Sequence, residues 1–331
     1  MSSSVAPGRL RACTLRRPYS SIRISDVRIT KFFSAHDWDE FVAKRPLGWF
    51  WHLRSWVDYQ VAYAPGSTDC SRVVVDDDDE LLGVAPMVRA VDGRLSYGGG
   101  PHPFPLAKTR AAYDMLVDEI ARKGGATLSD HAFIKGQGSP IITARTGPVS
   151  SGFAYHRVID LKALDWAKVR KSYHSLITGA LRKYTITTHV GEEALERGEE
   201  GKGSPFARYQ FCHMNLAAKP RPDATYRAQA RWLEEGRALV TVAAEGRLVL
   251  GAQYWFLYRG SAYYGSSAAV VRDGVSHAMV WVTLNALADL GYGQAGMGSQ
   301  GGETEKDRGI WQFKTGFGGE DVSVRTAEVM P

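Results

Sequence analysis

The stretch ALVTVAAEGRLVLGAQYWFLYRGSAYYGSS, Ala238 to Ser267, reads as three strands joined by two tight turns. β-Branched and aromatic residues fill the runs, while AEGR and YRG supply the polar and glycine positions that hairpin turns require. The plan occurs earlier as well. SRVVVDDDDELLGVAPMVRAVDGRLSYGGG, from Ser71, has the same order of strand, polar turn, strand, turn and strand. The offsets agree: Gly83 and Gly251 are 168 residues apart, whereas Tyr97 and Tyr264, and Gly124 and Gly291, are each 167 apart. A repeat of this length means two copies of one supersecondary plan.

Each copy is followed by a helical stretch, AAYDMLVDEIARKGG and SHAMVWVTLNALADLGYG. Met115, Leu116 and Ile120 in the first, and Met279, Val280, Leu284 and Leu287 in the second, recur every three to four residues. That period gives each helix one apolar face, and the glycine after each run is a helix stop. Two antiparallel sheets with helices packed on them follow. The repeat also settles the acidic run DDDDE, because its counterpart AAEGR is an ordinary turn; a solvated hairpin tip is expected there, not a metal site. No metal-ligand spacing occurs elsewhere.

A length of 331 residues accommodates two domains. The expected division is a basic flexible arm (1–28), a first domain (29–150) and a second domain (151–331). GQGSPIITARTGPVSSG, Gly136 to Gly152, is the linker, although ITAR has strand character. The arm carries Arg9, Arg11, Arg16, Arg17, Arg23 and Arg28 against Asp26, much of the net charge of +6. Such a balance permits a polyanionic partner. Cys13, Cys70 and Cys212 are an odd and scattered set, expected to be free thiols in a reducing compartment. No apolar run approaches the roughly 18 residues of a membrane span. A soluble, cytoplasmic protein is expected.

The order LRKYTITTHV, a Tyr-containing helix, YYGSS, a long helix ending ALADLGYGQAGMGS, and then GIWQFKTGFGG resembles the Fem-type aminoacyl-tRNA-dependent peptidyl transferases. These belong to the GCN5-related acyltransferase superfamily. The resemblance covers most of residues 30 to 325, with YYGSS and FKTGFGG as its specific motifs. It implies an α/β (α+β) fold of two tandem acetyltransferase-like domains, each a mixed, mostly antiparallel sheet flanked by helices. It implies that Lys314 and Phe313 face the reaction centre and that Tyr264 meets the acceptor. Arg221 and Tyr226, in PRPDATYR, fall where the family contacts the acceptor's phosphates, with slightly different spacing.

In SWVDYQ a family lysine that follows a tryptophan is replaced by Tyr59 or Gln60, beside Trp56, which argues against a nucleotide-sugar-linked peptide as acceptor. Ser299 and Arg182 complete the expected substrate-side set, and Arg272 with Lys183 the contacts to donor phosphates or tRNA. GEEALERGEEGKGSP is too short for the helical tRNA arm of some members.

Amide formation from an activated ester needs a neutral amine and positioned donors for the developing oxyanion. Lys314, among Trp311, Phe313 and Phe317, can supply that charge where water screens it little; a lysine reaching to water from a half-buried edge strand is the structural alternative. The glycines of TGFGG suit either a turn with positive φ or close backbone approach to a ligand. The run GYGQAGMGSQGG lacks the GxGxxG spacing of a dinucleotide fingerprint.

In superfamily members that use acetyl-CoA, a glycine-rich loop at a helix start holds the pyrophosphate. VVRDGVSHAM retains one glycine there, with His277 at a small-residue position and Ser276 as the expected N-cap. The first copy has prolines, which lack donors. His102, His174, His213 and His277 are scattered, and no general base stands out.

Aminoacyl transfer from charged tRNA to the amine of a small-molecule or peptide acceptor, in specialised-metabolite or cell-wall precursor synthesis, is the leading expectation. No resident cofactor is expected, since aminoacyl-tRNA is a co-substrate. An acyl-CoA-dependent N-acyltransferase and a non-catalytic RNA- or protein-binding module are the alternatives.

Overall fold

A computed structural model describes residues 27–31, 33–97, 101–129, 151–197, 203–217, 220–270, 274–299 and 304–331. The arm up to residue 26, most of the linker, and Arg272 lie outside the described residues. The first half runs β1 (Val27–Thr30), α1 (Ala35–Ala43), α2 (Arg54–Tyr63), β2 (Thr68–Asp69), β3 (Arg72–Asp76) and β4 (Leu81–Ala85). It continues through β5 (Val88–Arg89), β6 (His102–Pro103), β7 (Leu106–Ala107), α3 (Arg110–Arg122) and β8 (Ala126–Ser129). The second half begins β9 (Ser151–Asp160), α4 (Lys171–Lys183), β10 (Thr185–Val190), α5 (Pro205–Leu216) and α6 (Asp223–Glu234). It ends β11 (Ala238–Glu245), β12 (Leu248–Tyr258), β13 (Ser261–Ala269), α7 (Val275–Asp289), β14 (Gln294–Ser299), α8 (Glu305–Thr315) and β15 (Glu320–Val329).

The duplication extends to the details of pairing. β3–β4 and β11–β12 are antiparallel hairpins, and each carries one register shift, between Val74 and Val75 and between Ala243 and Ala244. Gly83 pairs with Val74 and Gly251 with Ala243, beside those shifts. Both glycines let a helix close on the sheet. A Cβ on Gly83 would lie 3.0 Å from Leu116 of α3; one on Gly251 would lie 3.0 Å from Met279 of α7 and 2.5 Å from the Ala269 Cβ. Gly124 and Gly291 end those helices at φ 104° and 83°, each N–H closing on a carbonyl 2.9 Å away.

The third strand departs from the sequence alignment. β12 is continued by β13, with Gly251 opposite Ala269, and the matching neighbour of β4 is β7, with Gly83 opposite Ala107. Tyr97 therefore has no counterpart in Tyr264. Pro86 ends β4, and the chain turns aside so that β5 pairs with β2. The turn Asp76–Glu80 is the exposed hairpin tip expected, with Asp79 at φ 61°. Arg28 pairs with Asp79, so Val27 and Arg28 belong to the first sheet rather than to the arm.

The sheet order is β1-β3-β4-β7 in the first half, and β10-β11-β12-β13-β14-β9-β15-β8-β6 in a nine-stranded sheet that crosses both halves. β15 is the link, pairing with β9 on one side and β8 on the other. One apolar cluster is likewise shared: Phe50 lies 5.0 Å from Trp232 and 4.8 Å from Phe256, ring centre to ring centre. Trp232 Nε1 donates to Ser55 Oγ at 2.9 Å across the same boundary. Among the described residues no helix is long and apolar enough to cross a membrane.

Candidate active site

The helix α2 places Trp56, Tyr59, Gln60 and Tyr63 at i, i+3, i+4 and i+7, on one face. That face lines a cavity of about 300 Å³ between the two halves. Trp51, Tyr97 and Pro101 close it from the first half; Arg221, Phe256, Tyr263 and Gly265 close it from the second. The walls are aromatic. Trp56 stacks on Tyr59 at 5.0 Å, and Trp51 meets Tyr263 edge-on at 4.9 Å.

Charge enters this cavity through Arg221. Its guanidinium lies over the rings of Tyr59 and Tyr63, 5.7 and 5.4 Å from their centres. Among the described residues no carboxylate pairs with it, and burial pushes its pKa down to about 10. Arg221 Nε donates to His213 Nε2 at 3.3 Å. An accepting Nε2 puts the proton of a neutral imidazole on Nδ1, which lies 3.5 Å from Tyr226 Oη. Burial lowers the His213 pKa, consistent with that neutral form. Tyr226 thus stands behind Arg221 through His213 and does not itself line the cavity. Three polar atoms of the lining residues, Trp56 Nε1, Tyr59 Oη and Tyr97 Oη, are buried behind the wall without a hydrogen-bond partner among the described residues.

Lys314 sits in the last turn of α8, a helix and not an edge strand. Thr304 caps that helix by accepting from the Asp307 N–H at 3.1 Å. The ammonium reaches back to the end of β14. There Lys314 Nζ donates to the Ser299 carbonyl at 3.4 Å. Gly298 makes the approach possible: it holds φ 92°, and a Cβ on it would lie 2.9 Å from Lys314 Nζ and 3.3 Å from Tyr263 Oη. Lys314 and the cavity residue Tyr263 therefore flank one glycine. Burial lowers the Lys314 pKa from 10.5 to about 8 and pushes that of Tyr263 up to about 12.

Of the expected residues, Trp56, Tyr59, Gln60 and Arg221 share the cavity wall, and Lys314 and Ser299 meet at its Tyr263 side. Tyr264 does not join them. Successive strand residues face opposite ways, so Tyr264 packs edge-on to Trp255 on the other face of β13, 5.1 Å between centres, while Tyr263 faces the cavity. Phe313 turns away from Lys314 into a cluster with Tyr173, His277 and Phe317, 5.0 Å from the His277 ring. Arg182 and Lys183 lie exposed at the C-terminal end of α4, outside the cavity lining.

The TGFGG glycines serve the turn. A Cβ on Gly316 would strike the Tyr173 ring at 2.1 Å, and Gly318 and Gly319 hold φ of 84° and 80°. Gly274 at φ 76°, not Ser276, caps α7, because the backbone of Leu176 in α4 approaches there too closely for a side chain. Trp51, Tyr63, Tyr97, His213, Tyr263 and Gly298 were missing from the expected set. The strand alternation in AYYG carried the signal for Tyr263; Gly298 had none beyond the glycine run.

No family profile and no curated protein matches the chain at a significant level. Solved structures do. FemX matches with TM-score 0.54 and 14% identity, over 92% of this chain and 97% of that one. The C-terminal domain of a putative lysylphosphatidylglycerol synthetase from Agrobacterium fabrum matches with TM-score 0.55 and 10% identity, over 90% and 92%. L-PGS from Bacillus licheniformis matches with TM-score 0.53 and 10% identity, over 88% and 90%. The chain shares the fold of FemX and of these lysylphosphatidylglycerol synthetase domains.

Proposed function

We propose that this chain is an aminoacyltransferase that moves an aminoacyl group from charged tRNA to the amine of a small acceptor, forming an amide. The observation that carries the reading is the seat of Lys314: a half-buried ammonium, held against Gly298, beside Tyr263 on the wall of a cavity that both halves build. The FKTGFGG resemblance and the shared fold support it.

The acceptor occupies the aromatic cavity with its amine toward Tyr263. Neutral nitrogen attacks the ester carbonyl of the aminoacyl-tRNA; a C–N bond forms and the carbonyl oxygen takes up negative charge. Lys314 stabilises that oxygen, with more effect than an exposed lysine because burial limits screening. The C–O bond to the terminal ribose then breaks. The proton lost by nitrogen goes to the departing ribose oxygen, through the vicinal hydroxyl, so no protein base is required.

The acyl-CoA alternative has less support. The start of α7, where a pyrophosphate would be held, is covered by α4: Leu176 abuts Gly274, and the Tyr173 ring lies 4.3 Å from that of His277. The test is incubation with a set of charged tRNAs and a mixture of small amines, with and without ribonuclease. Ribonuclease-sensitive amide formation is expected. Product formed equally after ribonuclease, or from acetyl-CoA instead, would overturn the assignment.

A further inference from the structure

We propose that the acceptor is a compact planar molecule that carries, besides its reacting amine, one anionic group for Arg221. This rests on the assignment of the cavity as the acceptor site and goes on to specify what fits there. Size comes first. A space of about 300 Å³ is at the small end for ligand sites. It suits a single ring with short substituents.

Shape and charge are set by the walls. Trp51, Trp56, Tyr59 and Phe256 make the wall aromatic, which favours an aromatic, and so flat, body in contact with those rings. Arg221 brings a positive charge without a carboxylate partner among the described residues, at a cost in solvation that an anionic ligand would offset. His213 fixes the guanidinium from behind through Nε, leaving its terminal nitrogens for the ligand.

The corner at Tyr263 is unsuited to anything charged and positive. Lys314 Nζ and Tyr263 Oη converge at Gly298, so an ammonium there would meet a like charge. The amine is thereby driven to its neutral, reactive form, while the anion stays with Arg221. The anion and the amine of one small molecule are thus read by different groups of the site, Arg221 and the Lys314–Tyr263 pair.

Calorimetric titration of the full chain with four probes tests this. 4-(Aminomethyl)benzoate has the ring, the anion and the amine. Its methyl ester lacks the anion, trans-4-(aminomethyl)cyclohexanecarboxylate lacks the flat ring, and UDP-N-acetylglucosamine stands for a large nucleotide-linked acceptor. The benzoate is expected to bind best, with the ester roughly tenfold to a hundredfold weaker, and Arg221→Gln is expected to remove that difference. Equal binding of acid and ester, preference for the nucleotide sugar, or no binding of the benzoate would overturn the proposal. Binding as expected, with transfer that ignores ribonuclease, would leave this inference standing and defeat the donor assignment alone.

Discussion

Lys314 occupies a position that stability would not choose. Its ammonium is charged at neutral pH in the unfolded chain, and burial lowers its folded pKa from 10.5 to about 8. Between those values the unfolded chain binds more protons than the folded one, so this residue makes stability rise with pH across that window. Below pH 8 the cost is present in full. Lys314→Met is accordingly expected to raise the melting temperature at pH 7, by an amount that shrinks as pH approaches 10.5; a lower melting temperature at pH 7 would show the charge to be compensated. Catalysis should respond in the opposite sense, with activity lost on the alkaline side of pH 8 in the native chain and retained there in Lys314→Arg. Gly298→Ala tests the seat itself. With φ 92° and Nζ at 2.9 Å from the added carbon, the variant is expected to lose on the order of a hundredfold in turnover. Stability should fall by about 1–2 kcal/mol, read from thermal unfolding.

The helix α8 shows how an element is tuned around such a residue. Gly309 lies within it with nothing within 4 Å of where a methyl group would sit, whereas Gly316 at its end faces the Tyr173 ring at 2.1 Å. Gly309→Ala should therefore stabilise the chain by about 0.5–1 kcal/mol, through helix propensity. Gly316→Ala should destabilise it by about 1–3 kcal/mol, through overpacking. Chemical denaturation of both variants checks the contrast. The sequence marks this element by its motif but leaves a strand open for Lys314, since FKTGFGG has no long apolar period. The hairpins were legible because β-branched runs and turn residues are local signals. The third strand of the first copy was not: its place depends on Pro86 turning the chain away, and on a two-residue pairing, Leu106–Ala107, too short to leave a pattern.

Across the whole molecule, two copies of one plan share a sheet and a core. β15 bridges β9 and β8, Arg237 reaches Asp39 at 3.5 Å, and Phe50 packs on Trp232. Such continuity predicts a single cooperative thermal transition in calorimetry, with equal calorimetric and van't Hoff enthalpies; two separated transitions would contradict it. The cavity belongs to this scale too. Trp56, Tyr59 and Gln60 are expected together from SWVDYQ and do line one cavity, but their meeting with Arg221, some 160 residues on, is a product of tertiary packing. Strand alternation in the same packing puts Tyr263, and not Tyr264, on the cavity wall.

In the proposed reaction Lys314 stabilises charge as an amide forms between the tRNA-borne acyl group and the acceptor. Single-turnover transfer from pre-charged tRNA, at saturating acceptor, compares the native chain with Lys314→Met. A fall of roughly a hundredfold to a thousandfold in rate is predicted, with acceptor affinity within about twofold, as for a group that acts mainly in the transition state. An unchanged rate in the methionine variant would contradict the account.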